Sequence, residues 1–202
     1  MGCHGGFSLD EATRRSWFNP EKLLEDAGLR SGMVFVDVGC GDGFFTIMAA
    51  KVVGEKGIIY SVDTDAPAIE RLKRKAADKG LTNVKAVVAK AEETVFREGC
   101  ADIVFYSIVL QDFQDPAKVL RNAKRMLKPS GRLVDLDWKK KQTEHGPPIR
   151  IRFSEEKAQT LIRNSCFKVE NVRAIVPDHY VIVAKPSLFT APPMHKALTS
   201  HV

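Results

Sequence analysis

The chain of 202 residues contains no run approaching the roughly 20 apolar residues that a membrane-crossing helix needs. Its opening, MGCHGG, has neither the basic nor the apolar region of a secretory leader, and Gly6 stands where N-myristoylation wants Ser or Thr. A soluble, cytoplasmic protein with no membrane partner is therefore expected. Cysteine is scarce: Cys3, Cys40, Cys100 and Cys166 lie far apart, with no Cys-x-x-Cys pair and no histidine at zinc-ligand spacing. That pattern excludes a disulfide framework and gives no reason to expect a bound metal. Charge of one sign is not dominant either, since 31 Lys and Arg against 25 Asp and Glu leave a net +6 with the signs interspersed. Such a balance is compatible with a nucleic-acid partner but does not favour one. No internal repeat is present.

What remains is an ordinary globular composition, 44% hydrophobic and 28% charged, on a length that suits one domain of about 150 residues with extensions. The expected division is an N-terminal arm and helix over residues 1–31, a main domain over 32–185 and a tail over 186–202. In the arm, Asn19 can cap a helix, Pro20 suits its first turn and Gly28 can end it. From Met33 the pattern alternates between β-branched apolar runs (MVFVDV, GIIYSV, VKAVVA, ADIVFYS, GRLVDLD) and helical periodicity beginning near Phe44, Ala66, Pro116 and Ser154. Continuous apolar strands separated by helices predict a parallel sheet covered on both faces. FKVENVRAIV and HYVIVA then follow with too short a link for a crossover helix, so they should pair antiparallel. The fold class expected is α/β, a Rossmann-like three-layer sandwich around a seven-stranded, mostly parallel sheet with an antiparallel last strand.

In such sheets ligands bind beyond the carboxyl ends of the strands, commonly at the turn after the first one. Here that turn reads Asp37-Val38-Gly39-Cys40-Gly41-Asp42-Gly43. Alternate glycines allow positive φ and let a ligand lie against the backbone. The third glycine of a dinucleotide fingerprint is replaced by Phe44, and Asp37 and Asp42 would oppose a pyrophosphate while favouring a cationic ligand. No Lys-Ser or Lys-Thr follows, which excludes a phosphate loop of the nucleotide-hydrolase type. Asp63, at the end of the second strand run, can accept both hydroxyls of a ribose, because Asp65 already serves as the cap of the next helix. A nucleoside with a zwitterionic, cationic tail satisfies all of these features.

VDVGCGDGFFT followed by VDTDAPAIE resembles the class I S-adenosylmethionine-dependent methyltransferases, and the likeness runs from about Met33 to Lys185. The resemblance implies S-adenosyl-L-methionine as cofactor. It implies further that Asp37, Gly39, Cys40, Gly41 and Gly43 line the cofactor, that Asp63 and Thr64 meet its ribose and that Ala91 and Glu92 meet its adenine. Lys90-Ala91-Glu92 stands where the family often has Asp-Ala-Glu. Ser107 and the following Ile108-Val109-Leu110-Gln111-Asp112 would face the methionine end and the acceptor. The branch that resembles quinone-biosynthesis methyltransferases often has Leu-His-His there, and this chain has Gln111 and Asp112 in place of the two histidines.

A methyl group on a sulfonium is already activated, so transfer needs an aligned acceptor and no covalent catalyst. Where the acceptor carries a proton, Asp112, His179, Tyr106 and Glu144 are the candidate bases near the carboxyl edge. Lys139 to Lys141, with Arg150 and Arg152, could steer an anionic acceptor. A small-molecule methyltransferase is the function expected; a binding protein without turnover and an RNA methyltransferase are the alternatives.

Overall fold

The computed structural model describes residues 11–17 and 19–187. The glycine-rich opening with Cys3, and the proline-bearing tail from residue 188, lie outside the described residues. Two short helices come first, α1 (Glu11–Trp17) and α2 (Pro20–Asp26). The second begins as its sequence predicts, with Asn19 accepting a hydrogen bond from the Lys22 N–H at 2.9 Å and Pro20 in the first turn. Strands and helices then alternate: β1 (Val34–Val38), α3 (Phe44–Val53), β2 (Ile58–Asp63), α4 (Ala66–Asp78), β3 (Val84–Val88), β4 (Ala101–Ser107), α5 (Pro116–Met126) and β5 (Leu127–Trp138). After a long loop come α6 (Glu155–Asn164), β6 (Phe167–Ile175) and β7 (His179–Pro186). Single 3-10 turns at Ala91–Glu93 and Leu110–Asp112 follow β3 and β4.

The seven strands form one sheet in the order β3-β2-β1-β4-β5-β7-β6. The first five run parallel, and β7 inserts antiparallel between β5 and β6. Because side chains alternate across a strand, β1 sends Phe35 to one face and Val36 and Val38 to the other. Phe35, Phe105 and Val134 pack with α2, α3 and α4, while Val36, Tyr106 and Ile182 pack with α5 and α6. Each helix layer therefore has its own apolar core, and the sheet is the shared wall. The strand order reverses beside β1, where β2 lies to one side and β4 to the other, and the crevice at that point opens beyond the carboxyl ends of the parallel strands. No helix among the described residues is long and apolar enough to cross a membrane.

Candidate functional site

The turn after β1 is built by three glycines with positive φ, at 73° for Gly39, 53° for Gly41 and 87° for Gly43. They are glycine for different reasons. A Cβ on Gly39 would run into Val109, and one on Gly43 would run into Leu72 of α4, so these two permit close packing. A Cβ on Gly41 would meet nothing within 4 Å, so this residue leaves an open side on the turn. Beside it, Asp63 accepts the Gly41 N–H at 2.8 Å through one carboxylate oxygen and the Asp65 N–H at 2.9 Å through the other. Asp63 is thus already part of the loop's scaffold, which sequence reasoning did not anticipate, but each oxygen keeps a lone pair for a further donor. Asp65 is the cap it was expected to be, accepting the Ala68 N–H at 3.2 Å. Thr64 is exposed at the strand end.

The two acids expected to repel a phosphate are both masked. Asp42 meets Lys75 at 2.6 Å and Arg14 of α1 at 3.2 Å. Burial works to raise its pKa, but the Lys75 hydrogen bond and the Arg14 charge outweigh it and hold the carboxyl below the usual range. Asp37 is 2% exposed, accepts the Thr46 hydroxyl at 2.6 Å and is pushed by burial up to about 7. Thr46 also meets Ser61 at 3.0 Å. This buried triad ties β1, α3 and β2 together on the underside of the glycine turn. The charge argument against a pyrophosphate therefore loses its basis. What still departs from a dinucleotide fingerprint is Phe44, whose ring is packed in the core at 4% exposure. Burial also raises the Cys40 thiol well out of the reactive range, so Cys40 lines the turn without being a nucleophile.

Beyond β3, Ala91 is buried, and its carbonyl and that of Glu92 accept the Asn122 amide at 3.1 and 2.9 Å. The Glu92 carboxylate accepts the backbone N–H groups of Gln114 and Asp115 at 3.1 and 3.4 Å, tying this turn to the start of α5. Lys90 points to solvent. Beyond β4, Ser107 is half-buried, and Ile108 is held at φ 58°, a left-handed conformation costly for a β-branched residue. Its N–H bonds to the Leu136 carbonyl at 2.8 Å. Val109 follows immediately, in contact with Gly39, so the segment after β4 rests directly on the glycine turn.

Among the candidate bases, Tyr106 is fully buried, donates to the Val119 carbonyl at 3.4 Å and has its phenol driven up by burial. It is a core residue and not a base at neutral pH. His179 is 1% exposed, and burial lowers it to about 4, so it is neutral. Its ring lies 4.0 Å from Trp138 and 5.5 Å from Trp17 of α1, measured between centroids. Glu144 is exposed and sits 3.9 Å from His145. Asp112 is half-buried on the turn beyond β4.

Arg152, expected to steer an anion, instead organises the loop between β5 and α6. Its Nε donates to Pro147, one terminal nitrogen to the carbonyls of Lys139 and Lys141, and the other to Thr143 and the His145 carbonyl, at 2.7–3.3 Å. All five guanidinium donors are thereby used inside the protein. The guanidinium also covers Trp138 at 5.0 Å, and Trp17 meets the same indole edge-on at 5.1 Å. The arm and the loop thus join above the end of β5.

Sequence reasoning missed Asp135 and Asp137 on that strand. They are 0% and 1% exposed, and burial raises both, Asp135 to about 7 and Asp137 well above the carboxylate range with the Asp135 charge adding to the effect. The signal was present in Leu133-Val134-Asp135-Leu136-Asp137-Trp138, where two acids occupy alternate positions, hence one face, of an otherwise apolar strand.

A family model described as a methyltransferase domain matches residues 29–180. The ubiquinone/menaquinone biosynthesis C-methyltransferase UbiE of Vibrio vulnificus is 36% identical over 118 residues, 58% of this chain and 45% of that protein. The demethylmenaquinone methyltransferase of Staphylococcus aureus is 34% identical over 117 residues, 58% of this chain and 48% of that one. The chain spans about half the length of the curated relatives it matches. A SAM-dependent methyltransferase of known structure from Aquifex aeolicus superposes with a TM-score of 0.80 at 28% identity, covering 88% of this chain and 98% of that one.

Proposed function

This chain belongs to the methyltransferase-domain family, and from that premise we propose that it transfers a methyl group from S-adenosylmethionine to a small organic acceptor. The observation that carries the proposal is the open side of Gly41 next to the Asp63 carboxylate, at the point where the strand order reverses. The residues present fit such a cofactor: a backbone surface without side chains for the amino acid end, and two carboxylate oxygens with spare lone pairs for a ribose diol. Gly39, Cys40, Gly41 and Gly43 would form the floor, with Asp37 holding that floor from below through Thr46. Thr64, Ala91, Glu92 and Ser107, at or just beyond the carboxyl ends of β2, β3 and β4, would complete the candidate binding set.

When bound, S-adenosylmethionine supplies a methyl group activated by positive sulfur. The chain's own task is then to orient an acceptor and exclude water. The segment Ser107 to Asp112 is suited to the first because it rests on Gly39 through Val109. The contact of Trp17 with Trp138 and His179 suits the second by closing the arm over the loop. Of the four candidate bases, Asp112 is the one whose position and half-burial fit proton acceptance from an acceptor. A small-molecule acceptor agrees with the names of the relatives, and Arg152 is not free to serve an anionic polymer.

Melting curves with S-adenosylmethionine, S-adenosylhomocysteine and NAD test the reading. A ligand at 100 times its Kd adds about 2.7 kcal/mol, which raises Tm by roughly 5–10 °C for a domain of this size. A shift with the sulfur compounds and none with NAD is expected. A shift with NAD alone would replace methyl transfer with hydride transfer, and no shift with any would leave the crevice without its cofactor.

A further inference from the structure

Among the described residues, Asp135 and Asp137 stand out because three of their four carboxyl oxygens are buried without a hydrogen-bond partner. Both oxygens of Asp135 and one of Asp137 are fully buried without a hydrogen-bond partner, and the remaining Asp137 oxygen accepts only the adjacent Trp138 N–H, at 2.7 Å. The Tyr180 hydroxyl is also unpartnered, on a residue 0% exposed. Tyr180 pairs with Asp137 across β5 and β7, so its side chain shares that face, and the charges of both carboxylates act on its phenol. Leaving such groups unanswered in a protein interior costs about 1–3 kcal/mol each, so three together call for a complementary ligand.

The unanswered groups specify the chemistry of that ligand. They are rich in acceptors: two carboxyl-bearing residues about 7 Å apart along one strand, and a phenol from the residue paired with Asp137 on the neighbouring strand. The nearby cation, Arg152, has all its donors committed to the 139–147 segment. The described residues contain no group of three or more side chains suited to a metal ion. A protonated amine carries one positive charge and up to three N–H donors, which matches the set in both charge and count. The seat lies at the carboxyl end of β5, one strand beyond the Ser107 to Asp112 segment.

We propose that Asp135, Asp137 and Tyr180 form a seat for an ammonium group carried by the methyl acceptor, anchoring it beside the cofactor crevice while another of its atoms is methylated. The proposal rests on the methyltransferase reading for the word acceptor, but the seat itself can be tested without any methyl transfer. Several titratable groups face it: Tyr106 from β4, Asp112 from the turn after β4, Arg152 from the loop, Glu155 at the start of α6 and Tyr180 from β7. Because burial and mutual repulsion favour protonated carboxyls in this pair, an arriving ammonium should expel on the order of one proton from it.

The test is calorimetric titration of the full chain, with and without saturating S-adenosylhomocysteine, using benzylamine, phenethylamine and cadaverine as probes. Benzyl alcohol, phenylacetate and magnesium or zinc chloride serve as the contrasting probes. At least one amine should bind, with proton release visible as a dependence of the heat on buffer ionisation. Asp137→Asn and Tyr180→Phe, both close in shape to the native residues, should each weaken that binding at least tenfold and leave S-adenosylhomocysteine affinity unchanged. Binding of none of the amines, equal binding of the alcohol, unchanged amine affinity in both variants, or a response to the metal ions alone would each overturn the seat. Amine binding without any S-adenosylhomocysteine binding would keep the seat and sink the methyltransferase reading.

Discussion

Asp63 illustrates how one side chain can hold a turn built by residues distant in sequence. Its carboxylate already receives the Gly41 and Asp65 N–H groups, so it fixes the turn before any ligand arrives. Asp63→Ala should therefore weaken S-adenosylhomocysteine binding by about 1–3 kcal/mol through lost ribose contacts, and should also lower Tm because two backbone donors lose their acceptor. Titration of the variant checks this, and unchanged affinity would remove Asp63 from the site. Residue identity alone pointed to Asp63, because an acid at the end of the second strand is informative by position. It could not show that Asp42 is neutralised by Lys75 and Arg14, residues 33 and 28 positions away, since that pairing exists only after α4 and α1 have docked. Arg152 was misread for the same reason: its five acceptors lie on a loop whose path the sequence does not encode locally.

At the scale of elements, four helix starts rest on caps, which are local chemistry, while α3 follows Gly43 with no side-chain cap. Asn19, Asp65, Asp115 and Ser154 each accept the N–H three residues on, as their positions before helical periodicity imply. Helix ends are less uniform. α6 runs out through Cys166, which sits at φ 65° where glycine would be unstrained. Cys166→Gly should raise stability by about 0.5–1 kcal/mol, the relief of left-handed strain exceeding the added flexibility of the unfolded chain. Urea unfolding would measure it, and a loss of stability would mean that the thiol's packing outweighs the strain. Ile108 carries the same kind of strain at φ 58°, but beside the glycine turn, and strained residues cluster at ligand sites. Strand β5 is the element least well anticipated. Its pairing begins at Leu127, ahead of GRLVDLD, with an irregular register between Ala101 and Ile103 on β4. Such bulges depend on the neighbouring strand, so strand composition does not announce them.

At the scale of the whole molecule, the buried acids make stability depend on pH in an unusual direction. In the folded chain Asp37 and Asp135 titrate near 7 against an ordinary 3.8, and Asp137 is raised further. Between those values the folded chain holds protons that the unfolded chain has lost. The stabilising contribution of Asp37 and Asp135 is full below about 3.8 and disappears as pH rises through about 7, and that of Asp137 has the same sign. Asp42 and His179 act oppositely. Asp42, whose pKa is lowered, contributes above 3.8 and loses that as pH falls below it. His179, lowered from 6.5 to about 4, loses its contribution as pH falls through that interval, one group against three. Ligand-free protein should accordingly melt several degrees higher at pH 5 than at pH 8, and Asp135→Asn should flatten that slope; melts across this range check it. A Tm that rises with pH instead would mean the carboxyls are ionised and paired in the folded state. The sequence by itself determined the α/β class, seven strands with the antiparallel pair at the end, the glycine turn and an acid at the end of the second strand, because periodicity, caps and turn chemistry act within a few residues. Only the tertiary structure decided which charges are cancelled, which candidate bases are buried and which acids stand on one face unanswered. Those outcomes depend on desolvation and on partners brought together from distant parts of the chain, and neither exists until the sheet has closed its two layers around them.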